Sequence, residues 1–199
     1  MFVALEGIDG SGKSTQINLI TKKLNDRIAD GTVVESVKFP VINSPTGSLI
    51  KKLLDSGVKS KESRIIFQSL MSVNRKEFFY KYSLHKKILI ADRYELSGIV
   101  YGLAQGLDLD WLLSINQNDP APDLTFFIDV DPSESFKRRP KREDQLESDI
   151  DFLQVIYSIY KKRLPLGSIR VDGMLSPDRI ADEIVHHILS FNHSLTYSF

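Results

Sequence analysis

The stretch GIDGSGKS, from Gly7 to Ser14, constrains the fold of this 199-residue chain more than any other feature. It matches the pattern G-x-x-x-x-G-K-[ST], in which glycines allow a tight turn whose backbone N–H groups converge on an anion. The apolar run FVALEG before it predicts a buried strand, and Ile17, Ile20 and Leu24 after it recur at helical spacing. A strand, this loop and a helix, in that order, predict a site for the phosphates of a nucleoside triphosphate.

The loop pattern also predicts what its side chains do. We expect Lys13 to reach the β- and γ-phosphates and the Ser14 hydroxyl to bind Mg²⁺. Asp9 stands out, because a carboxylate beside bound polyphosphate is repelled. It either caps the turn or, as we expect, helps to organise a phosphoryl acceptor. The residues expected to contact the nucleotide in this loop are Gly7, Gly10, Ser11, Gly12, Lys13, Ser14 and Thr15.

Further apolar runs alternate with helical patterns along the chain. The predicted strands after the first are TVVESVKF, KILIADRY, LTFFIDV and SIRVD. After the helix that follows the loop, helices are predicted at 46–54, 61–82, 96–105, 110–117, 148–164 and 177–191. This alternation predicts an α/β fold, a three-layer sandwich with a five-stranded parallel sheet flanked by helices, as in P-loop NTPases. We expect residues 1–199 to form a single domain, with ligands bound beyond the carboxyl ends of the strands.

The composition excludes several functional classes. The 26 Lys and Arg residues balance 26 Asp and Glu residues, which argues against a general nucleic-acid binder. No cysteine is present, so a disulfide framework and a thiolate metal site are excluded. No apolar run approaches the roughly 18 residues that a membrane span needs. The start MFVALEG runs directly into the loop, so we expect no signal or transit peptide and a cytoplasmic protein, the nucleus being equally compatible.

Two charged residues, Asp92 and Arg93, stand where the apolar third strand stops. In a parallel sheet this end of the strand lies on the same edge as the phosphate loop. Asp92 could then bind Mg²⁺ through water, and Arg93 could bridge donor and acceptor phosphates through its planar guanidinium. The alternative is an internal Asp–Arg ion pair that closes the strand.

Five motifs together resemble the thymidylate kinases, a family of the P-loop nucleoside-monophosphate kinases. They are EGIDGSGKST at Glu6–Thr15, FP at Phe39–Pro40, NR at Asn74–Arg75, DRYELSGIVY at Asp92–Tyr101 and PAPDLTFFIDV at Pro120–Val130. Their order and spacing match the family over nearly the whole chain. The resemblance implies a phosphotransferase that uses Mg-ATP to convert dTMP to dTDP in dTTP biosynthesis, usually as a homodimer.

The resemblance also implies roles for individual residues. Arg75 would hydrogen-bond the exocyclic oxygen of thymine, Arg93 would contact the acceptor phosphate, and Tyr101 would pack against the deoxyribose and exclude a 2′-hydroxyl. From the residues alone, Arg75 could equally be a surface arginine and Tyr101 a core aromatic. Adenine is expected near Asp172, after the fifth strand. The residues expected to bind dTMP are Asp9, Phe39, Met71, Arg75, Arg93, Tyr94, Ser97, Gly98 and Tyr101.

A basic run, KRRPKR at residues 137–142, follows the fourth strand and a short helix. It could be a solvated face or a nuclear-localisation-like cluster, but in these kinases a mobile lid lies here, at about residues 137–147. A lid arginine stabilises the charge of the transferring phosphoryl group, and Gly10 stands where one branch of the family has an arginine instead. The predicted catalytic residues are therefore Asp9, Lys13, Arg93 and the lid arginines Arg138, Arg139 and Arg142.

The chain departs from the family pattern on the acceptor side. Val41 stands where an arginine that holds the acceptor phosphate usually follows FP, and Arg64 or Lys38 could replace it. Met71 stands where a phenylalanine usually stacks on thymine, and a thioether imposes less shape on a ring. We therefore expect dTMP as the acceptor with looser discrimination between bases, and dUMP as the second acceptor.

Two other functional classes remain as alternatives. A deoxynucleoside kinase needs a general base near the acceptor hydroxyl, usually an acid just after the second strand, and FPVINSPTG contains no carboxylate. The other class is a nucleotide-dependent switch or ATPase module without a small-molecule acceptor. A guanine-nucleotide switch would contain the string N-K-x-D after a strand. An ATPase module that binds nucleic acid would carry a broader excess of basic residues. Neither feature occurs in the sequence.

Overall fold

The computed structural model describes residues 1–138 and 148–196, except for the side chains of 148, 149 and 192–196. The strands are β1 (Phe2–Glu6), β2 (Val33–Lys38), β3 (Lys87–Asp92), β4 (Leu124–Asp129) and β5 (Ile169–Asp172). The helices in the described ranges are α1 (Lys13–Asn25), α2 (Pro45–Ser56), α3 (Lys61–Lys81), α4 (Glu95–Ala104), α5 (Leu109–Asn116), α6 (Pro132–Lys137), α7 (Ser148–Arg163) and α8 (Pro177–Thr196).

The five strands form one sheet in the order β2-β3-β1-β4-β5, and every neighbouring pair is parallel. Helices cover both faces of this sheet, which confirms the predicted three-layer α/β fold of the P-loop NTPase type. The register pairs Asp92 at the end of β3 with Leu5 of β1 and with Lys38 of β2. The loops that follow β1, β2 and β3 therefore leave the sheet side by side.

Alternate residues of the strands pack against different helices. Val3 and Leu5 of β1 lie in a buried cluster with Ile20 of α1 and Ile184 of α8. On the other face, aromatic and aliphatic side chains pack under α3, α4 and α7. These buried residues are Phe2, Ala4, Ile8, Phe39, Leu89, Ala91, Tyr94, Leu96, Val100, Phe127, Leu153, Ile156 and Tyr160.

The helix ends differ by a few residues from the predicted ones, and side-chain caps account for several starts. Ser44, Ser60 and Asp108 each accept a hydrogen bond from a backbone N–H in the first turn of α2, α3 and α5. Helix α8 continues to Thr196, past the predicted end at Phe191. In the part of the chain that the structure describes, no helix combines the length and apolar character needed to cross a membrane.

Truncation of Ile20 tests the packing of α1 against the sheet. Ile20 is fully buried between β1 and α8, so Ile20→Ala is expected to lower the free energy of unfolding by about 2–5 kcal/mol. Leu166→Ala, at a fully exposed position, is the control and should change it by less than about 0.5 kcal/mol. Urea denaturation followed by circular dichroism measures both, and equal effects would contradict the assigned core.

Candidate active site

The glycine conformations of the phosphate loop and the start of α1 shape a site for an anion. Gly7, Gly10 and Gly12 have positive φ angles of 151°, 84° and 94°, which only glycine adopts without strain. Helix α1 begins directly after Gly12, no side chain caps its first turn, and no acid lies in that turn. Unsatisfied N–H groups and the positive end of the helix dipole therefore face the same point, the arrangement that binds phosphate.

Gly10 is also required by the packing of α6 on the loop. A Cβ at this position would lie 2.3 Å from the carbonyl oxygen of Ser135. The Ser135 hydroxyl in turn donates a hydrogen bond to the carbonyl oxygen of Asp9. No larger side chain, arginine included, fits at position 10 without moving α6.

The ammonium group of Lys13 is folded back onto the loop. It donates to the carbonyl oxygens of Gly7 at 3.0 Å and Ile8 at 2.9 Å, and only 6% of the residue is exposed. Burial, with the nearby Arg93 guanidinium, lowers the pKa of Lys13 from 10.5 to about 7. A bound phosphate would replace these carbonyl partners and favour the charged ammonium.

Ser14 and Asp92, the two residues predicted to bind Mg²⁺, lie in hydrogen-bond contact. The Ser14 hydroxyl donates to Oδ2 of Asp92 at 3.0 Å, while Oδ1 of the same carboxylate is buried and has no hydrogen-bond partner among the described atoms. In the described part of the chain, no three His, Cys, Asp or Glu side chains form a cluster that could hold a metal ion alone. The pair fits Mg²⁺, which takes one or two protein oxygens and completes its shell with phosphate oxygens and water.

Arg93 connects the phosphate loop with helix α4. Its backbone has a φ of 68°, unusual for a residue other than glycine, and this conformation directs the chain from β3 into α4. The guanidinium pairs with the Asp9 carboxylate and donates to the carbonyl oxygen of Gly7 at 3.1 Å. It also donates to the Tyr101 hydroxyl at 3.2 Å and lies over that ring, 5.1 Å from its centroid. The alternative of an Asp92–Arg93 ion pair is therefore wrong, because the partner of Arg93 is Asp9 on the phosphate loop.

A buried carboxylate beneath Arg93 was missed by the sequence reasoning. Glu6, only 1% exposed, accepts hydrogen bonds from the backbone N–H groups of Tyr94 and Ser97, so it caps the start of α4. It also accepts from the hydroxyls of Ser97 and Tyr160. Burial, followed by the Glu6 carboxylate, raises the pKa of Tyr160 well above its usual value, so its hydroxyl stays protonated.

Arg75 is a buried arginine of α3 and not a surface residue. Its Nε donates to Asp119 at 2.7 Å and its Nη2 to Asn116, while the residue is only 1% exposed. Its Nη1 is buried without a partner among the described atoms. A Cβ at Gly98 would lie 3.8 Å from this nitrogen, so Arg75 and Gly98 are neighbours. A buried, unpartnered donor of this kind indicates a ligand or ordered water.

The other predicted acceptor residues divide into two groups. Ser97 and Tyr101 contact Arg93, and Met71 lies half-buried one helical turn before Arg75. Phe39 and Tyr94 belong to the aromatic core, with ring centroids 5.6 Å apart. Their assignment to the acceptor remains a prediction.

A cavity of about 640 Å³ lies over the phosphate loop and Arg93 at the sheet edge. The predicted acceptor residues Met71, Arg75, Ser97, Gly98 and Tyr101 are not part of its lining. Its lining comprises the phosphate loop with Lys38, Asp92, Arg93, Arg138, Gly173, Leu175, Pro177 and Ile180. Residues after β5 therefore close the end where adenine is expected, and the carboxylate of Asp172 accepts from the N–H of Met174 in the same turn. The assignment of Asp172 to the nucleotide remains a prediction.

The predicted lid at about 137–147 falls largely outside the described residues, and so do Arg139 and Arg142. Arg138 is described. Its guanidinium donates to the carbonyl oxygen of Gly173 at 3.0 Å and to Glu134 at 3.2 Å. It therefore lies at the β5 end of the cavity, and its catalytic role remains a prediction.

Comparison with known proteins identifies the family of this chain. A family model for thymidylate kinase matches residues 5–184. The chain belongs to the thymidylate kinase family. The predicted enzyme class, a kinase that phosphorylates dTMP, is confirmed.

Individual relatives agree with this assignment. A probable thymidylate kinase of Methanococcus maripaludis strain C7 is 32% identical over 200 residues, 94% of each chain. One of Thermococcus kodakarensis is 37% identical over 159 residues, which cover 75% of this chain and 76% of the relative. The solved structure of thymidylate kinase from Candida albicans superposes with a TM-score of 0.77 at 27% identity, covering 95% of this chain and 91% of that one.

The polar partners of the site arginines were the main omission of the sequence reasoning. Four residues that hydrogen-bond a site arginine or a group beside it were not predicted: Glu6, Asn116, Asp119 and Tyr160. Glu6 carried a signal, because a carboxylate at the end of a buried strand needs partners. The other three lie on α5, α7 and a loop, and nothing local in the sequence points to Arg75 or Arg93.

Proton uptake on nucleotide binding tests the environment of Lys13. The pKa of Lys13 is about 7 in the free protein, and a bound phosphate raises it. Nucleotide binding above pH 7 should therefore take up a proton, and the affinity for the nucleotide should fall as the pH rises. At pH 8.5 the uptake should approach about one proton for adenylyl imidodiphosphate, measured by calorimetry in buffers of different ionisation enthalpy. Lys13→Met should lose this uptake, and equal uptake in both proteins would contradict the lowered pKa.

Removal of the Asp119 charge tests whether Arg75 must be held in place. The carboxylate of Asp119 is fully buried and also accepts from Lys76 at 2.5 Å. Asp119→Asn should raise KM for dTMP by about 10-fold or more, because a charged hydrogen bond contributes about 1.5–3 kcal/mol. KM for the phosphoryl donor should stay within about two-fold. Steady-state kinetics separates the two constants, with Asp110→Asn on the exposed start of α5 as the control. A parallel rise in both constants would point to general loss of structure instead.

Proposed function

We propose that this kinase transfers the γ-phosphoryl group of Mg-ATP to the 5′-phosphate of dTMP, giving dTDP for dTTP biosynthesis. The observation that carries the proposal is that one cavity contains both an anion-binding loop and the Asp9–Arg93 pair. A site for one nucleotide would need only the loop. Two anionic ligands can meet end to end over this edge of the sheet.

The donor end of the cavity is built for a metal-bound triphosphate. The N–H groups of the loop and Lys13 would hold the β- and γ-phosphates, and Ser14 with Asp92 would hold Mg²⁺. The bound metal would supply a positive charge that neutralises the phosphate oxygens during transfer. The residues between Gly173 and Pro177 would enclose the adenine, with Asp172 on the turn beside them.

The acceptor site would be formed by Arg93, which lines the cavity, and by Arg75, which lies outside the cavity lining. Arg93 would contact the phosphate of dTMP, and the unpartnered Nη1 of Arg75 would donate to a carbonyl oxygen of the base. Tyr101, held beside Arg93, would pack against the deoxyribose and leave no room for a 2′-hydroxyl. No general base is required, because the phosphate dianion is itself the nucleophile, so positioning and charge neutralisation supply the catalysis.

Breadth of the acceptor is part of the proposal. Met71 would cover the base less tightly than an aromatic ring, so dUMP is the proposed second acceptor. The Candida albicans thymidylate kinase is described as having broad substrate specificity. Broad specificity in a protein of the same fold supports the proposal for this chain.

The remaining parts of the proposal concern the lid, the assembly and the compartment. We propose that Arg138, Arg139 or Arg142 closes over the transferring phosphoryl group from the lid at about 137–147 and excludes water. Half-exposed Leu49 and Leu54 of α2 and Ile66 and Val73 of α3 support a homodimer through these two helices. The cytoplasm is the proposed compartment, and neither nucleic acid nor a membrane is a proposed partner.

A direct assay tests this function. With Mg-ATP, the purified protein should convert dTMP to dTDP, with dUMP slower and thymidine at least about 10³-fold poorer in kcat/KM, because thymidine lacks the nucleophilic phosphate. Chromatographic separation of the nucleotides measures each product. Turnover of thymidine but not dTMP would favour a deoxynucleoside kinase, and ATP hydrolysis that is independent of any acceptor would favour an ATPase module.

A further inference from the structure

We propose that Lys38, the last residue of β2, binds the phosphate of the acceptor nucleotide. This inference rests on the proposed function and deepens it by naming a specificity-determining residue. Lys38 lines the same cavity as Asp9, Lys13 and Arg93. Its ammonium group makes no hydrogen bond or ion pair among the described residues, and the residue is exposed.

The charges along the cavity leave the acceptor short of a cation. The described lining contains four cations, Lys13, Lys38, Arg93 and Arg138, and two carboxylates, Asp9 and Asp92. Lys13 lies on the donor loop, and the charge of Arg93 is partly compensated by Asp9. A phosphate dianion that approaches Arg93 therefore meets less than one net positive charge unless another cation joins it.

The sheet order places Lys38 at the acceptor end of the cavity and Arg138 at the donor end. Strand β2 is one edge of the sheet and β5 is the opposite edge. Arg138 donates to the carbonyl oxygen of Gly173, directly after β5, where the donor base is expected. Phe39, next to Lys38, packs against Phe78 of α3 with ring centroids 5.4 Å apart, and α3 is the helix that carries Arg75.

The backbone holds Lys38 where its side chain can reach Arg93. Lys38 is paired with Asp92 in the parallel register, and the N–H of Phe39 donates to the carbonyl oxygen of Asp92 at 3.2 Å. Neighbouring strands are about 4.8 Å apart, and the four-carbon stem of lysine spans more than that distance. An ammonium at this point can bind a phosphate that also contacts Arg93.

Other side chains near the acceptor end do not offer this contact. Val41, two residues beyond Phe39, packs its side chain into the aromatic core, and Asn74 accepts from its N–H at 2.7 Å. Arg64, at the start of α3, donates to the carbonyl oxygen of Gln105 at 3.0 Å and is not part of the cavity lining. Among the described cations, Lys38 is therefore the one that is both unpaired and at the acceptor end.

The test compares dTMP with thymidine, which differ only in the phosphate. In the absence of donor, Lys38→Gln should weaken dTMP binding about 10-fold or more and leave thymidine binding within about two-fold, as calorimetry or competition can measure. In kinetics, KM for dTMP should rise while KM for ATP stays within about two-fold. Lys38→Arg should restore most of the dTMP affinity, which a purely structural role would not predict.

Lys22→Gln is the matched control, because it removes the same charge from the exposed far end of α1. Unchanged dTMP binding in Lys38→Gln, or a loss of affinity for ATP alone, overturns the inference about Lys38. The proposed function still stands in that case if the wild type converts dTMP to dTDP. A wild type that does not phosphorylate dTMP contradicts the proposed function instead. If that wild type also binds no dTMP, both proposals are overturned.

Discussion

The guanidinium of Arg93 joins the three segments that make up the candidate site. It contacts the phosphate loop through Gly7 and Asp9, helix α4 through Ser97 and Tyr101, and helix α7 through Tyr160. These contacts come from its two terminal nitrogens, Nη1 and Nη2, which the planar guanidinium holds in a fixed geometry. The relative positions of loop, acceptor pocket and α7 therefore depend on one side chain at the end of β3.

Burying so many charges in one place is costly without a ligand. Lys13 is almost completely buried, and its lowered pKa shows that the free protein disfavours its charge. Asp92 keeps one buried oxygen without a partner, and Arg75 keeps one buried nitrogen. Phosphates, a metal ion and a base carbonyl would each relieve one of these deficits, so the unsatisfied groups outline the ligands that the site is built to bind.

Prediction from the sequence succeeded where the signal was local. The loop glycines, the apolar strands and the helical periodicity are encoded within a few residues, so the elements and the layer order were correct. Prediction from the sequence did not find the residues that hydrogen-bond the site arginines. Arg75 and Asp119 are 44 residues apart, and Glu6 and Tyr160 are 154 apart. No periodicity or spacing relates residues that meet only through packing.

The sequence by itself determined the phosphate loop, the parallel sheet and the family, because glycine conformations, apolar periodicity and motif order do not depend on distant contacts. Only the tertiary structure decided that Arg75 is a buried, tethered donor and that Gly10 must lack a side chain beneath Ser135. It also decided that Lys38, rather than Arg64, faces the cavity. The physical reason is that burial, pairing and the free donors of a side chain are set by which elements pack together.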